Sequence, residues 1–469
     1  MKSKIIYFAL ALGLVGGLVV RLKDLQAPLA DWHSFRQADT ASVAREYVKH
    51  GVDLLRPTYH DLSNIQSGQD NPEGLRMVEF PLINGAVAFL YRSLNPALEL
   101  HVFYRLFDIL LSLISAVVLF AIVKKIASPE IGLIAAGVFL FLPFNIYYSR
   151  TILPEVALIT FSLLGVYTGL RYIDRPNLLN FLFAFSTLAV GLLVKPVAIF
   201  FYLPLVGYAL DTRGLKSLLN WRLVLLALSA CVPLYLWRRW ILQFPQGIPD
   251  SIWLLNGNHI RFKGAWFYWL FADRLGRLIL GYWGTVLAAF GVLAKKKTTV
   301  TSWWLTGALM YLVVFATGNV QHDYYQIPLI PIISVLLAYG IHFLLTTKVF
   351  SRATSWLLLF VICIFGFSFS WYHIRSYYGI NNPAIIQAGQ AVDRLTPPEA
   401  LVIAPYMGDT AFLYQTNRRG WPIGFSIDDK INKGAQYYVS VNYDDEANEL
   451  MKKYPIIEKT DKYLILQLN

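Results

Sequence analysis

Charge is scarce in this chain of 469 residues: 15% of them are Asp, Glu, Lys or Arg, against 56% hydrophobic and 15% aromatic. Soluble domains carry roughly 25% charged residues. No soluble core of this length could hide so much apolar surface, so lipid must solvate most of the chain. Cysteine is nearly missing too. Cys231 and Cys363 both sit in apolar runs, which argues against a disulfide framework or a cysteine metal cluster. There is no phosphate-cradling glycine motif of the Walker or dinucleotide type, and no internal repeat of the kind that builds the two halves of a transporter. Acids are outnumbered, 29 against 41 Lys and Arg, for a formal charge of +12. In a soluble protein that excess would suggest nucleic acid. Here the cations flank apolar runs and set topology, so nucleic acid is not expected as a partner.

Apolar runs of membrane-spanning length fall at about 4–20, 102–123, 129–148, 152–171, 177–194, 196–211, 222–242, 276–294, 300–318, 326–346 and 353–372. The first, framed by Lys2, Lys4, Arg21 and Lys23, reads as a retained span with a cytoplasmic N-terminus, because no small-residue cleavage site follows it. Pro81–Leu94 is too short to cross. If it stays out, the clusters Lys124/Lys125, Arg171/Arg175, Arg213/Lys216/Arg222, Lys295/Lys296/Lys297 and Lys348/Arg352 all fall in cytoplasmic loops, as the positive-inside rule asks. If it crosses, all of them move outside together. The expected fold is therefore an α-helical polytopic membrane protein of about eleven transmembrane helices, with interfacial helices in a long outer loop, residues 21–101. Trp266, Phe267, Trp269 and Phe271 predict another interfacial helix.

The composition changes after residue 380. Leu401–Ala404, Tyr437–Val441 and Tyr463–Leu468 predict short strands, while Asp409–Thr416, with Asp409 as cap, and Asp445–Tyr454 predict helices. Two domains follow: a transmembrane domain, 1–380, with the outer loop carrying the site, and a small soluble α/β domain, 381–469, outside the cytoplasm.

Polar residues avoid the span centres and collect on the outer rim. The densest run is Asp31-Trp32-His33-Ser34-Phe35-Arg36-Gln37-Ala38-Asp39-Thr40, followed by an amphipathic helix from Ala41 to His50 that stops before Gly51. Carboxylates beside an arginine and a histidine at a membrane surface suit acid–base chemistry on a substrate half buried in lipid. The bland alternative makes Asp39 the cap of that helix and Asp31 a solvated loop acid. Against it stands the rest of the rim: Glu79, Arg150, Glu155, Lys195, Arg238, Arg239, His322, Asp323, Tyr324 and Tyr325. One such cation could simply snorkel. Several loops delivering acids and bases to one surface suit a phosphate head group and its departure as a leaving group.

With these motifs in order, the chain resembles the GT-C membrane glycosyltransferases, in the branch (families 39 and 83) that holds protein O-mannosyltransferases and lipid A aminoarabinose transferases. The resemblance rests on Ala41-Ser42-Val43-Ala44-Arg45-Glu46-Tyr47 after an acidic loop, Glu79-Phe80-Pro81-Leu82, Arg150 to Glu155, Lys195-Pro196, and His322 to Pro331. It implies inverting transfer of a sugar from a polyprenyl-phosphate donor to an acceptor hydroxyl on a glycan, lipid or protein, in a bacterial plasma (inner) membrane. It implies a carboxylate in the first outer loop as base and cations on the lipid phosphate. This chain departs from the pattern where the family's acid would fall, at Arg36 or Gln37. Arg36 followed by Asp39 is the family's acid–base pair in reverse order, one helical turn apart. Asp39 is then the favoured base, with Asp31 next and Glu155 orienting the acceptor or Arg150. His33, Arg36, Gln37, Glu79, Arg150, Lys195, Arg239, His322 and Tyr325 are the candidate substrate and lipid-phosphate contacts. The residues fix no cofactor, and metal dependence stays open: Asp31, His33 and Asp39 could share one divalent metal ion. The competing readings are a lipid-linked sugar transporter or flippase, a membrane scaffold, and an oligosaccharide ligase with a polyprenyl-diphosphate donor.

Overall fold

The computed structural model describes residues 2–294 and 299–469; the expected cluster Lys295/Lys296/Lys297 lies outside the described residues. The chain divides into two compact units. The first comprises Met1–Lys23, Leu106–Arg238 and Ser251–Ser376, and the second Asp24–Arg105, Arg239–Asp250 and Tyr377–Asn469.

The first unit is helical throughout. Six helical stretches among the described residues are long and apolar enough to cross a membrane. They include Pro154–Asp174, Trp221–Ile241 and the one opened by Arg352–Ile374, and a bent pair makes seven. The other runs expected to span are helical but interrupted or short: Pro129–Phe141 with Pro143–Tyr148, Leu178–Val194, Ala198–Phe201 with Leu203–Arg213, and Thr299–Val314. Proline explains the first interruption. Pro143 has no N–H to offer the carbonyl of Phe139 and ends the helix before it. In lipid the freed carbonyls need other donors. Asn145 Nδ2 donates to Phe139 O at 2.6 Å, and Arg21 Nη1 donates to Leu140 O at 2.8 Å. Arg21, read from the sequence as a flanking cation, is in fact fully buried.

The run expected to span from 276 begins its straight part only at Gly284. Gly264–Ile279 precedes it at an angle of 108°, with Gly281 and Tyr282 at positive φ in the corner. A Cβ on Gly281 would lie 1.9 Å from the carbonyl oxygen of Gly366, so only glycine fits this bend. A similar close approach recurs between Gly284–Ala294 and Ile330–Thr346. There a Cβ on Gly291 would meet Leu336 O at 1.9 Å, and one on Gly340 would meet Leu287 O at 2.0 Å. Small residues let these backbones touch where apolar burial gives no drive inside lipid.

The second unit contains a five-stranded sheet: β1 (Leu401–Ile403), β2 (Arg419–Trp421), β3 (Ala435–Ser440), β4 (Ile456–Lys459) and β5 (Leu464–Gln467), in the order β2-β1-β3-β5-β4. β1 runs parallel to β2 and β3, and the β3–β5 and β5–β4 pairs are antiparallel. The three strands expected from sequence are present. β2 and β4, three and four residues long, gave too little alternation to be read. Asp409 caps Thr410–Gln415 as expected, accepting from Ala411 N. The core includes Ile403, Trp421, Tyr438, Leu464 and Leu466, and Leu62 from the segment 24–105 packs into it. His60 and Leu62 exchange backbone hydrogen bonds with Gly420, where a side chain would strike Val402 O. The segment 24–105 is thus stitched into the same unit as the sheet.

Substituting Gly340→Ala or Gly291→Ala should lower the thermal stability of the detergent-solubilised protein. Gly137→Ala, with nothing within 4 Å of the added Cβ, should raise it by up to about 1 kcal/mol through helix propensity. Thermal unfolding of the three variants checks this.

Candidate active site

In the second unit most of the polar run is helical. Asp31, Trp32 and His33 form a turn, and from Ser34 the run is the first half of a helix, Ser34–His50, entered through His33 in a left-handed conformation and closed at Gly51. This overturns the capping reading of Asp39: it sits in mid-helix, 4% exposed, with both carboxylate oxygens taken. Oδ1 accepts from Thr410 Oγ1 at 2.7 Å. Oδ2 meets Arg76 Nη2 at 2.8 Å and accepts from Gln66 Nε2 at 3.2 Å. A buried carboxylate so fully engaged is a strut.

Asp31 is different. It is fully buried, its Oδ1 accepts from Gln37 Nε2 at 2.8 Å, and its Oδ2 lies 3.7 Å from Arg105 Nη2. Gln37 also donates to Trp32 O, which fixes its amide against Asp31. The backbone here is held by the C-terminal segment: Trp32 N donates to Tyr377 O at 3.1 Å, Asn381 Nδ2 donates to Asp31 O at 3.2 Å, and Trp32 stacks on Tyr377. Arg36 is ion-paired to Glu79. His33 packs against Trp32 and Phe35. Arg239 remains exposed in the last turn of Trp221–Ile241.

Two more carboxyls lie near Asp39: Asp61, fully buried, and Asp409, half-buried. Burial pushes Asp61 up to about 6, aided by the charge of Asp39 and opposed by hydrogen bonds from Ser63. Burial likewise pushes Asp409 up to about 6, against the Ala411 N–H and with Asp39 adding to the rise. Burial also lowers the His60 imidazole to about 4, partly offset by Glu46, whose Oε1 lies 3.4 Å from His60 Nε2.

In the first unit the remaining expected residues gather at helix ends. Glu155, 1% exposed, opens Pro154–Asp174 and is ion-paired to Lys195, which follows Leu178–Val194. Lys195 also sits 5.3 Å from the Tyr325 ring centroid. His322 stacks on Tyr324 and meets Trp253 edge-on. Arg150 is fully buried, its guanidinium 5.2 Å from the Tyr147 ring centroid. Tyr148 donates its hydroxyl to Asp323 Oδ1 at 2.5 Å.

Sequence reasoning missed Arg76, Gln66 and Thr410 as partners of Asp39, and Tyr148 as partner of Asp323. Arg76 stands out only as a cation inside Leu75-Arg76-Met77-Val78. Among the described residues no three His, Cys, Asp or Glu side chains gather so as to hold a metal ion. Asp31 and Asp39 have separate partners, so the set Asp31, His33 and Asp39 is not assembled.

With this geometry in view, comparisons with known proteins become informative. The sequence model of the family described as dolichyl-phosphate-mannose-protein mannosyltransferase matches residues 100–237. No curated protein matches the chain by sequence. Among solved structures, ArnT from Cupriavidus metallidurans bound to undecaprenyl phosphate superposes with a TM-score of 0.68 at 13% identity, covering 97% of each chain. The apo form gives 0.67 at 14%, again over 97% of each chain. The Archaeoglobus fulgidus oligosaccharyltransferase, in complex with Zn and sulfate, gives 0.59 at 11%, over 91% of this chain and 67% of that one. The resemblance read from the motifs thus holds at the level of the fold. The chain is a multi-pass membrane protein built on the GT-C glycosyltransferase fold.

Two outcomes follow from the Asp39 network. Thr410→Val leaves Asp39 Oδ1 without its donor and should cost about 1–3 kcal/mol, whereas Thr410→Ser should unfold with the parent. Asp61 binds its proton more tightly folded than unfolded, so its contribution favours the fold at low pH and is lost as pH rises from about 4 through about 6. Asp61→Asn should therefore match the parent near pH 3 and become the more stable of the two by pH 7.5, by at most about 3 kcal/mol. Thermal unfolding against pH measures both.

Proposed function

We propose that this protein is a membrane glycosyltransferase that moves a sugar from a polyprenyl-phosphate donor to an acceptor hydroxyl, with inversion, on the extracytoplasmic face of a bacterial plasma membrane. The N-terminus is cytoplasmic and the C-terminal α/β part extracytoplasmic. The observation that carries this reading is the buried Asp31, which lies in the first outer segment of a GT-C fold and is held in place from three sides. Two fold relatives support the lipid donor: the ArnT structure contains undecaprenyl phosphate, and an archaeal oligosaccharyltransferase structure contains a dolichol-phosphate.

Asp31 is the better base of the two candidate acids. Asp31 is fully buried between Gln37 and Arg105, whereas Asp39 is tied to Thr410 and Arg76 and serves the structure. In the reaction the acceptor hydroxyl gives its proton to the carboxylate as its oxygen bonds to the anomeric carbon. The bond from that carbon to the phosphate oxygen breaks on the opposite face, and the polyprenyl phosphate leaves with the electron pair. Cations stabilise the departing phosphate; the candidates are Arg36 in the second unit and Lys195, Arg150 and His322 in the first. Glu155 orients Lys195 through their ion pair. Asp39 positions the helix that carries the rest.

The test is sugar transfer from a polyprenyl-phosphate donor by purified variants. Asp31→Asn should lose about 10²–10⁴-fold in kcat. Lys195→Ala should weaken donor use, and Asp39→Asn should act mainly through stability. Full turnover in both Asp31→Asn and Asp39→Asn would sink the assignment.

A further inference from the structure

At the other end of the helices that carry Glu155 and Lys195, the first unit holds a second feature with no role in sugar transfer. Trp221–Ile241 packs loosely: 22% of its apolar span is buried, against 72% for Pro154–Asp174. Between it and its neighbours lies a cavity of about 330 Å³, lined by Leu205, Ala209, Leu223, Ala227 and Cys231 among others. The polar side chains that reach it are satisfied elsewhere. Tyr202 donates its hydroxyl to Leu188 O, and Ser217 donates to Gly214 O. Water would find no partners there. An empty apolar slot of this size forfeits dispersion contacts along its walls, so an apolar chain is the occupant the slot fits.

Its depth and rim say what kind of chain. Leu223 to Cys231 covers about 12 Å of helix axis, well short of the ~30 Å hydrocarbon core; this is the reach of one leaflet. The rim is basic. Arg213 and Arg222 flank the short turn Leu215–Leu219, which carries Lys216 and whose Leu215 and Leu219 are 79% and 88% exposed, with Trp221 at 67%. Exposed leucines and a tryptophan beside cations are how a segment lies at head-group depth. Nearby acids are engaged: Asp174 by Lys125 and Tyr208, and Asp211 by the backbone of Thr299. Among the described residues Lys216 and Arg222 make no ion pair.

We propose that this slot is a binding site for an anionic phospholipid, with an acyl chain between Trp221–Ile241 and its neighbours and the phosphate at Lys216 and Arg222. In the proposed topology this lipid belongs to the cytoplasmic leaflet, away from the transfer chemistry, and the inference does not rest on that chemistry. The test is native mass spectrometry of the full chain in detergent, titrated with phosphatidylglycerol, phosphatidylcholine or undecaprenyl phosphate. Phosphatidylglycerol should bind at least about fivefold more tightly than phosphatidylcholine, a difference of about 1 kcal/mol. Lys216→Glu/Arg222→Glu, on exposed positions, should erase the preference. Ala227→Trp should remove one bound lipid while thermal unfolding stays cooperative. Equal binding of the two phospholipids, a preference that survives the charge reversal, unchanged phosphatidylglycerol stoichiometry in Ala227→Trp, or loss of bound undecaprenyl phosphate in Ala227→Trp would each overturn the proposal.

Discussion

A charge withdrawn from water must find its counter-charge and its hydrogen bonds within the protein, because the desolvation cost of an unpaired ion exceeds the whole stability of a fold. In this chain that constraint is met repeatedly, and much of the architecture follows from it. Asp39 is held by Arg76, Gln66 and Thr410, Glu155 by Lys195, Asp323 by Tyr148. Arg21 is held by Ser149 and by carbonyls that a proline break set free. Each arrangement brings together residues far apart in sequence.

The second unit shows why the C-terminal part belongs with the segment 24–105. A helix rich in Arg, Gln, Asp, Ser and Thr buries most of its length, which an isolated amphipathic helix in water would not do. It is buried because the C-terminal segment covers it. Thr410 reaches Asp39, the carbonyl of Tyr414 accepts from Arg45 at 2.7 Å, and Asn381 reaches the backbone of Asp31. An acid–base group needs a fixed position to act on one hydroxyl at a time. Here the position is set by contacts that arrive from more than 300 residues away in the chain.

The carboxyls gathered round Asp39 show how a site can be strained without being catalytic. Asp61 and Asp409 are raised toward neutrality by burial and by Asp39 itself, and the one arginine among them, Arg76, pairs with Asp39. With Thr410, Gln66 and Arg76 on its two oxygens, Asp39 is suited to holding structure.

Much was legible in the residues themselves. Apolar runs and basic flanks marked the membrane class, and the order of short motifs marked the GT-C fold, because lipid solvation and topology depend on local composition. Asp409 as a cap and Gly51 as a helix stop were legible for the same reason: their partners lie within a few residues. The helix Ser34–His50 was half missed because its buried polar face is stabilised by distant segments, not by its own periodicity. Arg76, Gln66 and Thr410 could not be read as partners of Asp39, nor Tyr148 of Asp323, since hydrogen bonds between remote side chains leave no mark in spacing. The sequence by itself determined the solvent of the chain and its class. Which residues brace Asp39, and which lie against Asp31, was decided only by the tertiary fold, because their partners come from segments remote in the chain.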